Sequence, residues 1–125
     1  MDIDFFKKYN DTYGHWQGDK VLIRFSEVVL NILDGTQMAF RFGGEEFVIL
    51  LPNAFHDDAA AIAEKIRRDF AAEEFVPIED RAVHVTISAG FSILKLSDTE
   101  GTLFERADKA LYQAKASGRN QVVFL

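Results

Sequence analysis

One stretch constrains this chain more than any other: Arg41-Phe42-Gly43-Gly44-Glu45-Glu46-Phe47. An apolar run, Phe47-Val48-Ile49-Leu50-Leu51, follows it, and a shorter one, Met38-Ala39-Phe40, precedes it. Two such runs joined by Gly-Gly read as strands 38–42 and 47–51 of a tight hairpin, with glycine taking the positive φ that such turns need. Two adjacent glutamates sit where the chain reverses, beside glycines that let another group approach the backbone closely. Taken alone, the pair is equally well read as two solvated hairpin carboxylates.

Around the hairpin, periodicity sets out the remaining elements. Met1 to Asp4 is the end of a strand, and Asp4 to Asn10 caps and opens a short helix. Asn10-Asp11-Thr12-Tyr13-Gly14 is turn chemistry. From about His15 to Leu33 the apolar residues Val21, Leu22, Phe25, Val28, Val29, Ile32 and Leu33 form a one-sided stripe of helical period. Residues 56–71 make a second amphipathic helix, with Asp57 and Asp58 at its positive end. Residues 73–82 are irregular or a short edge strand, where Pro77 is tolerated. His84 to Leu94 alternates as a half-buried strand. A third long helix spans about Thr99 to Ser117, capped by Ser97 or Asp98, with Gly118 as its C′ residue. Gln121 to Leu125 closes the chain as a strand. The fold class is α+β, or mixed α/β, with a central, mostly antiparallel sheet flanked by helices.

At 125 residues the chain is expected to be one domain. With no cysteine, disulfide and thiol chemistry are excluded. No apolar run approaches a membrane span, so a cytoplasmic domain is expected. Net charge is −6, which argues against a nucleic-acid polymer as partner. A single nucleotide held through a metal is compatible with that charge.

Three motifs, in order along nearly the whole chain, resemble one family. The opening DIDFFKKYNDTYGHWQGDKVL, with Asn10, Gly14, His15, Gly18 and Asp19, resembles the start of the GGDEF domain of diguanylate cyclases. RFGGEEF resembles that family's signature hairpin in its GGEEF form. Tyr112-Gln113-Ala114-Lys115-Ala116-Ser117-Gly118-Arg119-Asn120 resembles its C-terminal phosphate-contacting stretch. The resemblance implies a nucleotidyl-cyclase, palm-like fold and condensation of two GTP into cyclic di-GMP, with a homodimer needed because each site holds one GTP.

It also implies roles. Asp2, the carbonyl of Ile3 and Glu45 would be ligands of Mg²⁺ or Mn²⁺, with Glu46 at the metal or assisting deprotonation of the attacking 3′-hydroxyl. Carboxylates converging at ~4 Å would repel by about 4 kcal/mol per pair at an effective dielectric of 20, a cost that a cation removes. The N–H groups of Phe5 and Phe6, with Lys7, would touch the terminal phosphates at a helix start. Gly43 and Gly44 would leave room for substrate, and Lys115 and Arg119 would reach the phosphates from the far end of the chain. Asn10 and Asp19 match the guanine readers; an aspartate accepts two N–H bonds that guanine offers and adenine does not.

The match departs from the family in two places. The family's usual opening helix, with its D-x-L-T-x-L-x-N-R stretch, and most of the first strand do not occur here, so weak activity is expected. The product-binding Arg-x-x-Asp would fall at 34–37, which read Asp34-Gly35-Thr36-Gln37, so that site is expected to be absent. Two further readings stand beside the cyclase: a non-catalytic GTP-binding regulatory domain of the same fold, and a protein-interaction module presenting an acidic hairpin.

Overall fold

The structure, a computed structural model, describes residues 1–125. Seven strands and four helices follow in the order β1 (Asp2–Ile3), α1 (Phe6–Tyr13), α2 (His15–Ile32), β2 (Met38–Arg41), β3 (Phe47–Leu50), α3 (His56–Ala71), β4 (Phe75–Ile78), β5 (Arg81–Val83), β6 (Ile87–Phe91), α4 (Glu100–Ala116) and β7 (Val122–Phe124). β6 is the centre of a three-stranded sheet, antiparallel to β1 on one side and parallel to β7 on the other. β2 and β3 form an antiparallel hairpin. β1 joins that hairpin to β6: Asp2 bridges Glu46, the Ile3 N–H donates to the Glu45 carbonyl at 3.1 Å, and the Phe47 N–H donates to the Met1 carbonyl at 2.9 Å. This is the α+β, mixed α/β class that the sequence pattern calls for.

The core lies between this sheet and helices α2 and α3. Phe25 is its hub, with ring centroids 4.6 Å from Phe47 and 5.1 Å from Phe70 in edge-on contacts. Val21, Leu22, Val28 and Val29 extend the same stripe of α2, and Ile66 and Phe70 meet it from α3. On the opposite face α4 packs onto β6 through small residues, Ala110 and Ala114. Gly90 makes that approach possible: a Cβ there would stand 2.1 Å from the Leu111 nitrogen and 2.4 Å from the Ala107 oxygen.

Several local expectations are corrected. α1 continues through Asn10–Tyr13 instead of ending in a turn there; Tyr9 is buried and its ring packs against Tyr13, so tertiary packing outweighs the turn-forming residues. Gly14, at φ 87°, ends it. Residues 75–83 form a second hairpin, β4–β5, in place of an irregular stretch or single edge strand. The strand of 84–94 shortens to β6 and is covered on both faces, with Ile87, Ser88 and Ala89 all buried. Thr99, not Ser97 or Asp98, caps α4. Asp98 is instead committed to a two-pronged ion pair with Arg106, at 2.6 and 2.7 Å. Gly43 and Gly44 do not take the left-handed backbone, because residues 42–46 form a wider connection than a two-residue turn. Gly118 is the C′ residue of α4 at φ 112°, with the Arg119 N–H reaching back to the Ala114 carbonyl.

Candidate active site

Three chain segments meet at the end of β1. Pairing with β3 brings Asp2 beside the 42–46 connection. Asp2 is buried, and its Oδ2 accepts from Lys115 Nζ at 2.8 Å, an ion pair reaching from the last turn of α4. Glu45 is half-buried. Burial, then the charges of Asp2 and Glu46, push its carboxyl above the ordinary glutamate value, partly offset by Lys115. Arg41 fixes the connection by donating to the carbonyls of Gly43 at 3.2 Å and Gly44 at 2.7 Å. Gly44 faces open space, and the Glu46 carboxylate lies against Gly43.

No three acidic or histidine side chains converge at metal-binding spacing. Asp2 and Glu45 lie on paired segments, and a cation of the magnesium type takes one or two protein carboxylates and completes its shell with water and phosphate oxygens. The half-buried Glu45 carboxyl, its acidic neighbours and the oxygen-only donor set fit such an ion.

The start of α1 lies next along the chain. Phe5 precedes the helix in the left-handed region, at φ 56°, and no side chain caps the first turn. No acidic residue occupies that turn either, so its free N–H groups and positive end are left uncompensated. Asp4 does not cap this helix; it is turned toward β6. The guanidinium of Arg119 lies over the Phe5 ring at 4.4 Å. Phe6 is buried in the core, which leaves its backbone at the helix start. Lys7 and Asp19 are exposed and form no ion pair. Asn10 packs against α2, its Oδ1 buried without a hydrogen-bond partner beside Gly18, one residue before Asp19.

The structure also links Asp4, Arg67 and Asn120, to which the sequence assigns no site role: the Asn120 N–H donates to Asp4 Oδ2 and Arg67 donates to Asn120 Oδ1. The signal available was a lone aspartate at a strand end together with the small hydroxyls of Thr86 and Ser88 on the polar side of another strand.

The family model for "Diguanylate cyclase, GGDEF domain" matches residues 1–121. The chain belongs to the GGDEF family. Among its relatives is the response regulator PleD of Caulobacter vibrioides, 46% identical over 125 residues, a match covering 98% of this chain and 28% of PleD. Diguanylate cyclase A of Treponema denticola is 42% identical over 123 residues, covering 98% of this chain and 33% of that protein. The chain thus spans a third or less of these two relatives. Among solved structures, the GGDEF domain of DgcB from Caulobacter crescentus in complex with c-di-GMP superposes with a TM-score of 0.93 at 34% identity, covering 98% of this chain and 73% of that one. The active GGEEF domain of a diguanylate cyclase from Vibrio cholerae gives 0.92 at 37% identity, covering 98% and 78%. The GGDEF fold is shared with both structures over nearly the whole of this chain.

Proposed function

We propose that this GGDEF domain is a diguanylate cyclase that condenses two GTP into cyclic di-GMP. In each half-reaction the 3′-hydroxyl of one GTP attacks the α-phosphorus of the other, the bond to the leaving pyrophosphate breaks, and the hydroxyl proton passes to a nearby base. The observation that carries the reading is the pairing of β1 with the Glu45–Glu46 stretch, which sets Asp2 beside the acidic connection, with Lys115 on Asp2, the uncapped start of α1 next along the chain and Arg119 over Phe5 at that start.

Asp2, the Ile3 carbonyl and Glu45 would hold Mg²⁺ or Mn²⁺, with Glu46 beside them. The chemistry supplied by the bound cation is Lewis acidity toward the 3′-hydroxyl and neutralisation of phosphate charge. The N–H groups of Phe5 and Phe6, with Lys7, Lys115 and Arg119, hold the terminal phosphates. Asn10 and Asp19 read guanine, while Gly43 and Gly44 leave the connection clear for substrate. One domain holds one GTP, so two domains face each other as a homodimer, in the cytoplasm where GTP is available.

The product-binding site is proposed to be absent. Asp34 and Gln37 satisfy one another in a closed turn: the Asp34 N–H donates to Gln37 Oε1 at 3.0 Å, and Asp34 Oδ1 accepts from Thr36 N–H at 2.9 Å and Oγ1 at 2.7 Å. No cation stands there to meet a phosphate. A second reading, GTP binding without turnover, is favoured by the Asp2–Lys115 ion pair, since a metal must share that oxygen with an ammonium. Incubating the chain with GTP and Mg²⁺ and weighing the products by mass spectrometry tests both. Cyclic di-GMP supports the cyclase; bound but unconverted GTP supports the second reading.

A further inference from the structure

Asp4 is 4% exposed and forms no salt bridge. Its Oδ1 accepts from Ser88 Oγ at 2.7 Å, and its Oδ2 accepts from Thr86 Oγ1 at 2.7 Å and from the Asn120 backbone N–H at 3.1 Å. The carboxylate thus ties the β1–α1 junction to β6 and to the turn after α4, 116 positions away in sequence. Burying an anion among neutral donors is costly unless its oxygens are hydrogen-bonded, as both are here.

The backbone around Asp4 is held in a disfavoured form. Phe5, Arg119 and Asn120 have φ of 56°, 64° and 47°, a region that side chains larger than glycine rarely occupy. Such conformations persist only when their surroundings over-determine them. Asp4 supplies one constraint through the Asn120 N–H. Arg67 of α3 supplies another, donating to Asn120 Oδ1 at 2.7 Å while it is ion-paired with Glu64. Phe5 directly follows Asp4, Arg119 directly precedes Asn120, and the Arg119 guanidinium rests on the Phe5 ring.

We infer that Asp4 is a positioning residue for triphosphate binding: its carboxylate locks the start of α1 and the Arg119 turn into one cradle. The inference rests on the GTP reading above. It makes a specific demand, because the role needs acceptors and not charge. An asparagine can place its oxygen on Thr86 and the Asn120 N–H, and its amide nitrogen can donate to Ser88, whose hydroxyl reverses. Alanine can do neither.

Calorimetric titration of the chain with GTP and with GMP, both with Mg²⁺, isolates the terminal phosphates. The parent should prefer GTP over GMP. Asp4→Ala should cut that preference at least tenfold while GMP affinity stays within about threefold, and Asp4→Asn should restore it to within about threefold of the parent. A preference unchanged in Asp4→Ala overturns the inference, as does Asp4→Asn falling as far as Asp4→Ala, which would make charge the requirement. If Asp4→Ala does not fold, Thr86→Val decides: it removes the hydroxyl that donates to Asp4 Oδ2 while keeping the shape of the side chain. Its preference should fall at least threefold, and an unchanged one overturns the inference. A parent chain with no preference for GTP over GMP removes the GTP reading itself, and this inference with it.

Discussion

Gly18→Ala should weaken recognition of guanine while leaving the fold intact. A Cβ at position 18 would lie 1.7 Å from Asn10 Oδ1, 2.8 Å from its Cγ and 3.2 Å from its Nδ2. Everything in the way is the end of one flexible side chain, so the carboxamide must swing aside and the backbone need not move. Displacing it from its rotamer costs about 0.5–1.5 kcal/mol. Replacing glycine by alanine inside a helix returns about 1 kcal/mol, and φ at Gly18 is not in the left-handed region. The two nearly cancel, so the melting temperature should stay within a few degrees of the parent. Binding has no such compensation. Losing a base-reading hydrogen bond and leaving a guanine group unpaired costs about 1.4–3 kcal/mol, a tenfold to hundredfold loss in GTP affinity. ATP gains nothing from Asn10 in this reading, so the GTP-to-ATP ratio should shrink with it. Calorimetry with both nucleotides and a thermal melt supply the three numbers. A GTP affinity within twofold of the parent, with the melt unchanged, would remove Asn10 from base reading; a melt lowered by more than ten degrees would refute the packing argument.

Gly90→Ala offers the contrast: its Cβ would meet the Leu111 and Ala107 backbone at 2.1 and 2.4 Å. It should therefore destabilise the fold by about 3 kcal/mol or more, and an unchanged denaturant midpoint would contradict the tight β6–α4 packing. At Glu45 function and stability oppose each other. Burial and its acidic neighbours raise its pKa, so the folded chain keeps that proton to higher pH than the unfolded chain, and the metal-free fold loses stability as pH rises through that range. At pH 7 without divalent cations, Glu45→Gln should melt higher than the parent while losing turnover; coincident melting curves would refute the electrostatic reading. Finally, with Asp34 and Gln37 in place of the product-binding pair, added cyclic di-GMP should not inhibit non-competitively at saturating GTP. Inhibition of that kind, abolished by substitution at Asp34 or Gln37, would overturn the claim.

The sequence by itself carried whatever has a local cause. Gly43-Gly44 between two apolar runs marked the β2–β3 hairpin, and the apolar stripes of α2 and α3 marked their buried faces. Gly118 marked the end of α4. Each signal depends on residues a few positions apart, and periodicity or turn chemistry registers them directly. Local chemistry also misled where packing opposed it: Asn10–Tyr13 has the composition of a turn, yet α1 runs through it because Tyr9 is buried. The motifs likewise gave Asp2, Glu45, Lys115 and Arg119 their expected roles without showing how they meet.

Only the tertiary structure decided those meetings. Lys115 is paired with Asp2, the Arg119 guanidinium lies over the Phe5 ring, and Asn10 rests on Gly18. Asp4 depends most on the fold. In sequence it is one more carboxylate near a helix start, indistinguishable from a cap. Its three donors come from 82, 84 and 116 positions away, and none lies near it until β1 pairs with β6 and the end of α4 returns beside them. A side chain's partners across such separations are set by which strands become neighbours, and that is a property of the closed sheet, absent from any window of the chain.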